Sequence, residues 1–166
     1  MNILAIDPGN VESGCCRIDS ASYKPTAFAK LENRELEHSI VLCEGLDHIV
    51  IERIASYGMA VGKEVFETCE EIGRLSMLAD IIGTPCDFVY RRDEKLTICG
   101  SPKANDANIR RALIDRFAKH DMKNGKGTKS DPDWFYGFRA DIWAAYAVGV
   151  TWLDMEKEAE RKWNSI

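Results

Sequence analysis

Apolar residues in the first thirty positions come in short runs, Asn2 to Asp7, Gly14 to Asp19 and Thr26 to Leu31, with Gly, Ser and Pro between them. Runs of that length bounded by turn formers predict three strands in an antiparallel meander. From Asn33 to Cys43 the period changes: Leu36, Ile40 and Cys43 fall at helical spacing, and Gly45 supplies a stop. His48 to Ile54 (HIVIERI) is β-branched and predicts a fourth strand, and the helix before it makes a crossover that returns this strand parallel to the first. Val65, Cys69, Ile72, Ala79 and Ile82 lie near one face of a long helix from Val61 to Ile82, ended by Gly83 and Pro85. Cys86 to Tyr90 reads as a buried fifth strand.

The second half is more polar. Arg91 to Pro102 reads as a basic loop, after which Asn105 caps a helix carrying Ile109, Leu113 and Phe117 at every fourth residue and Arg110, Arg111 and Lys119 on its other face. Met122 to Ser130 (MKNGKGTKS) has two glycines and no period, so it predicts a mobile loop. Arg139 to Asp154 is an apolar, Ala-rich helix that packs on the sheet through Ile142, Ala145, Tyr146 and Gly149. The sum is an α/β fold with a mixed five-stranded sheet flanked by helices, one domain over 1–154 and a charged, fraying tail over 155–166.

Length and composition agree with one domain, since 166 residues at 45% hydrophobic content bury one good core. No run approaches the roughly 20 apolar residues of a membrane span, and Met1 opens into a strand rather than a signal segment. A cytoplasmic protein is expected, without a membrane partner. The six cysteines (Cys15, Cys16, Cys43, Cys69, Cys86, Cys99) form no Cys-x-x-Cys pair and no zinc spacing with His38, His48 or His120, which predicts reduced thiols.

Charge changes the picture. The net value of −5 conceals a segment, Arg91 to Lys129, with 11 Lys/Arg against 5 acids, while the remainder holds 11 basic against 22 acidic residues. A +6 stretch on a body of −11 is the pattern of a local phosphate-binding face, the alternative being a solvated helix face without a partner.

Three acids stand where a carboxylate is costly: Asp7 at the end of the first strand, Glu52 inside the apolar fourth strand, and Asp141 at the start of the last helix. If the first and fourth strands are neighbours, Asp7 and Glu52 face one edge, and the last helix can present Asp141 to both. Hard oxygen donors select Mg²⁺ or Mn²⁺, and two such ions roughly 3.5 to 4 Å apart activate water in phosphodiester hydrolysis. Ordinary roles compete: a tight Asp-Pro-Gly turn for Asp7, an ion pair with Arg53 or Arg74 for Glu52, and helix capping for Asp141.

Four segments in order, NILAIDPGNVESG from Asn2, VIERI (Val50 to Ile54) before a long helix, CGSPKANDANIRRAL (Cys99 to Leu113) and RADIWAAYAVGV (Arg139 to Val150), resemble the RuvC-type Holliday junction resolvases of the RNase H-like superfamily. The resemblance runs from Asn2 to about Val150. It implies a homodimer that cuts four-way DNA junctions or related branched DNA by paired nicks, with Mg²⁺, or Mn²⁺ in its place, at two ions per site. It also implies Asp7, Glu52 and Asp141 as ligands, Lys95 and Lys103 near the scissile phosphate, and the helix after Glu52 as the dimer helix. The basic segment then offers Arg91, Arg92, Lys95, Lys103, Arg110 and Arg111 to DNA. A bacterial cell or a phage-infected host is the expected setting.

Two positions depart from the family pattern. Phe138 stands where the family has an Asp or His three residues before the last Asp, and Asp133 or Asp131 is the substitute ligand that the sequence offers. Ala55 stands where the family has an aromatic wedge, leaving Tyr57 or Met59 for that contact. The loss of the fourth acid keeps a non-catalytic branched-DNA-binding protein as an alternative. A phosphate-binding protein of the actin-like or sugar-kinase type shares the opening strand and turn, but needs two related domains.

Overall fold

Strand β1 (Asn2–Asp7) alternates its side chains between two cores, and the rest of the molecule is arranged on either side of it. In the computed structural model, which describes residues 1–56, 58 and 60–165, the elements follow as β2 (Glu12–Asp19), β3 (Pro25–Glu32), α1 (Asn33–Val41), β4 (His48–Arg53), α2 (Lys63–Ile82), β5 (Cys86–Tyr90), α3 (Arg91–Cys99), α4 (Asp106–Phe117) and α5 (Ala140–Trp163). The sheet order is β3-β2-β1-β4-β5. β1 to β3 form the antiparallel meander, and β4 and β5 run parallel to β1.

Because side chains alternate along a strand, Ile3 and Ala5 of β1 and Val50 of β4 join a core covered by α4 and α5, while Ile6, Ile49 and Ile51 join a second core under α1 and α2. Both faces of the central strands are thus apolar, as a sheet covered on both sides requires. The first core is rich in rings: Phe135, Phe138, Trp143 and Tyr146 pack together with centroids 4.4 to 5.6 Å apart.

Helix α5 reaches the sheet closely at two glycines. A Cβ on Gly149 would lie 2.4 Å from Ile18 Cδ1 and 2.9 Å from Ala5 Cβ. A Cβ on Gly14 would lie 2.5 Å from the backbone oxygen of Asp141. The first contact sets the height of the helix over the sheet, and the second brings its first turn down onto β2.

Three expectations need correction. Arg91–Cys99 is a helix rather than a loop. Its cap comes from the Asp93 carboxylate accepting the Tyr90 N–H at 3.2 Å and from Gly100 at φ 66°, while Glu94 is its buried residue, so no apolar period announces it. α5 continues past Asp154 to Trp163, supported by pairs such as Lys162–Glu158 at 2.6 Å. Residues 122–130 fold into turns held to the following segment by Asp133 N–H to Lys126 O and Phe135 N–H to Gly125 O, both 3.0 Å. The capping of α4 by Asn105 is as expected, with reciprocal bonds of 3.0 Å to Asn108. The cysteines are all free thiols, and among the described residues no helix is long and apolar enough to cross a membrane.

Gly149→Val should lower unfolding stability by about 1–3 kcal/mol through overpacking, read as a lower urea midpoint with an unchanged slope.

Candidate active site

The parallel register of β1 and β4 runs Ala5 beside Val50 and Ile6 beside Ile51, so the next pair brings Asp7 beside Glu52 at the carboxyl ends of two central strands. Both fall on the α5 side, with Ala5 and Val50. On the other flank of β1, Asp7 is opposite Gly14, and Gly14 is opposite Lys30. One row across the sheet therefore reads Lys30, Gly14, Asp7, Glu52, and Asp141 lies above its glycine.

The ordinary roles considered for Glu52 and Asp141 do not hold. Arg53 stacks 5.0 Å from the Phe88 ring and Arg74 pairs with Glu70 and Glu71, so Glu52 is left to face Asp7. Asp141 is in the first turn of α5, whose N-cap is Arg139 and has no side-chain cap bond. The Asp141 Oδ2 instead accepts from Lys30 Nζ at 2.9 Å, and the same ammonium reaches Glu12 Oε2 at 3.0 Å. These two bonds hold the Lys30 ammonium above its usual pKa range.

The carboxyl pair is electrostatically crowded. Burial, then the charge and hydrogen bonding of Glu52, raise Asp7 to about 8, with Asp141 adding to the rise. Burial also raises Glu52, against the opposing pull of Arg91 and Asp7. A third acid, Glu94, is fully buried, and burial with the charges of Glu52 and Asp7 takes it to about 9. One of its oxygens accepts from Arg91 at 2.5 Å and the other has no partner in the protein. Arg91 also donates to Asp106 at the start of α4, so one guanidinium ties α3 to α4 while neutralising the acids around it.

A cavity of about 330 Å³ opens over this pair, lined by Asp7, Glu52 and Asp141 with Arg91, Asp106 and Arg110. Arg110 lies 5.3 Å from the Trp143 ring centroid and its enclosed Nε has no partner. The structure thus brings together the three acids singled out from the sequence and adds Glu94, Asp106 and Lys30, which sequence reading missed. Glu94 was hidden in a segment without apolar period, and Lys30 is a lone cation on a short strand. The sole available signal was the i, i+3 spacing of Arg91 and Glu94.

Other expected residues lie elsewhere. Lys95 and Lys103 do not line the cavity; Arg91 and Arg110 supply its positive charge. Arg92 and Lys103 are exposed, and Arg111 is paired with Asp115 at 2.8 Å and Asp121 at 3.5 Å, which neutralises it. Asp133 is not a ligand of this site: its buried carboxylate accepts the N–H groups of Lys119, His120 and Trp134 at 2.7 to 3.2 Å and pins the chain after α4. Asp131 is exposed in the turn closed by Thr128. Phe138 is sealed in the aromatic cluster, 4.7 Å from Phe28 and 5.2 Å from Trp143. Tyr57 and Met59 lie outside the described residues.

Similar chains in solved structures have this arrangement of strands and helices. RuvC of Thermus thermophilus, in complex with a Holliday junction substrate, superposes with a TM-score of 0.68 at 11% identity over 95% of this chain and 96% of that one. The chain has an RNase H-like fold. The yeast mitochondrial Holliday junction resolvase Ydc2 gives 0.62 at 12% identity over 96% of this chain and 80% of its own, and the fowlpox virus Holliday junction resolvase gives 0.51 at 16% over 93% and 99%. No protein-family model and no curated protein matches the sequence.

Two apposed buried carboxyls of raised pKa are an unfavourable arrangement by themselves, and a hard divalent cation is the partner that relieves it. In that respect the donors fit Mg²⁺ or Mn²⁺. Among the described residues, no three His, Cys, Asp or Glu side chains already converge as a ligand set; Asp141 is turned to Lys30.

A carboxyl raised in the folded state stabilises the fold below its unfolded pKa and loses that contribution as pH rises toward the folded value. Wild-type protein in chelator should therefore lose stability between about pH 4 and pH 8 on account of Asp7, whose folded value is about 8. Asp7→Asn should be more stable than wild type at pH 7 by up to about 4 kcal/mol, with the difference vanishing near pH 4 in urea titrations.

Proposed function

We propose that this chain is a divalent-metal-dependent endonuclease that cuts four-way or related branched DNA by paired nicks. The observation that carries this reading is the row of Asp7 and Glu52 with Asp141 above it, at the mouth of a cavity with cationic walls, on a fold shared with solved junction resolvases.

Mg²⁺ held by Asp7, Glu52 and Asp141 would supply activation of water and neutralisation of charge at the leaving oxygen. The chain's own groups do the rest. Asp7 and Glu52 are fixed by two central strands, so their carboxylates present a rigid pair of donors to the cavity. Arg110, steadied against Trp143, offers a guanidinium to phosphate oxygens from the facing wall. Arg91 is held by Glu94 and Asp106 and acts by positioning α3 against α4 and opposing the rise that burial imposes on Glu52. Arg92, Lys95 and Lys103, outside the cavity, extend the positive surface for flanking phosphates, which makes affinity fall steeply with salt.

A homodimer belongs to this reading. Helix α2 exposes Phe66, Met77 and Ile81 at 60%, 65% and 73%, an apolar stripe suited to a second copy. A two-fold axis there would give two equivalent sites for a pseudo-symmetric junction. The second reading, a branched-DNA binder without cleavage, is favoured by Phe138, a buried ring where the resemblance expects an Asp or His ligand.

With a labelled four-way junction and a linear duplex, Mg²⁺ should produce paired nicks confined to the junction, and chelator should abolish them. Asp7→Asn should lower the rate at least about 100-fold, the scale of losing a group that stabilises transition-state charge. Junction binding without cutting in both Mg²⁺ and Mn²⁺ would refute the nuclease. Ile81→Glu should shift the species seen in sedimentation from dimer to monomer.

A further inference from the structure

The row Lys30, Gly14, Asp7, Glu52 gives Asp141 two neighbours of opposite sign. Gly14 fixes the backbone of Asp141 over β2, with its oxygen where a Cβ would otherwise be. Lys30 lies one strand away on one side and Asp7 one strand away on the other, each about 4.8 Å off in the sheet. Asp141 therefore stands between the two, and its charge is felt by Asp7 as well as by Lys30. The Asp141 carboxylate addresses Lys30, at 2.9 Å, and the ammonium is anchored from behind by Glu12 at 3.0 Å.

We propose that Lys30 is an internal counter-ion that holds Asp141 away from the Asp7–Glu52 pair until a divalent cation displaces it. This rests on the reading of Asp141 as a metal ligand. Two observations and one Coulombic argument support the exchange. The side chains of Lys30, Glu12 and Asp141 are 46%, 47% and 37% exposed, so their pairing is weakened by water and can be broken cheaply. Asp141 forms part of the wall of two clefts, the cavity over Asp7 and Glu52 and a second one of about 480 Å³ that contains Lys30 and Arg139. A cation of charge two between three carboxylates gains more from Asp141 than a single ammonium does. Once displaced, the ammonium remains in the second cleft beside Arg139, where it suits a backbone phosphate. Lys30 is thus a positioning residue that tunes metal affinity.

The test is Mn²⁺ titration by calorimetry on DNA-free protein at pH 7 and low salt, comparing wild type with Lys30→Met, Lys30→Gln, Lys30→Arg and Asp141→Asn. Removing a competing exposed ion pair should tighten Mn²⁺ binding about two- to fivefold in Lys30→Met and Lys30→Gln. Lys30→Arg should bind as wild type does, and Asp141→Asn should bind more weakly. Unchanged or weaker binding in both neutral Lys30 variants, with Asp141→Asn still weakened, overturns the role of Lys30 and leaves the metal site standing. No Mn²⁺ binding by wild type or by the neutral variants overturns both. Because Lys30 is exposed on an edge strand, these variants retain the fold, which circular dichroism checks.

Discussion

The contact of α5 with the sheet is the constraint on which the rest depends. A helix carrying ordinary side chains at its interface stands about 10 Å from a sheet, too far for a first-turn carboxylate to share a site with strand-end acids. Gly149 removes the obstacle in the middle of the interface and Gly14 removes it at the end. The helix then descends onto β2, and Asp141 arrives above the row formed by Asp7 and Glu52. The aromatic cluster of Phe135, Phe138, Trp143 and Tyr146 belongs to the same core and packs the first turns of the helix against it.

Electrostatics oppose this assembly. Asp7, Glu52 and Glu94 are brought out of water beside one another, and the burden appears as carboxyls displaced upward from their ordinary range. The protein offsets part of it with one guanidinium, Arg91, lodged between Glu94 and Asp106. Such a concentration of buried acids at the carboxyl ends of two central strands, in a fold otherwise consistent in pattern and packing, supports the function proposed above.

Much of this was legible in the sequence where periodicity is strong. The five strands, the crossover through α1 and the capped helix α4 follow from short apolar runs, β-branched residues and Asn105. Asp7, Glu52 and Asp141 stood out because each interrupts an apolar pattern. Helix α3 did not, because its buried residue is a carboxylate and its stability comes from a cap and from Arg91 rather than from an apolar stripe. The misplacement of Asp133 has the same origin: spacing along the chain says nothing of three backbone N–H groups waiting after α4. Lys30 is a tertiary fact, visible only once β3 is registered against β2.

The burial of Phe138 limits how this protein can change. Its ring contacts Phe28, Phe135, Trp143 and Tyr146, so the position belongs to the mortar of the first core and not to the rim of the cavity. An acid introduced there would be buried among rings, where a carboxylate is costly. A carboxylate at this position therefore requires the segment before α5 to be repacked, which ties the donor set proposed for the cavity to the packing of the first core.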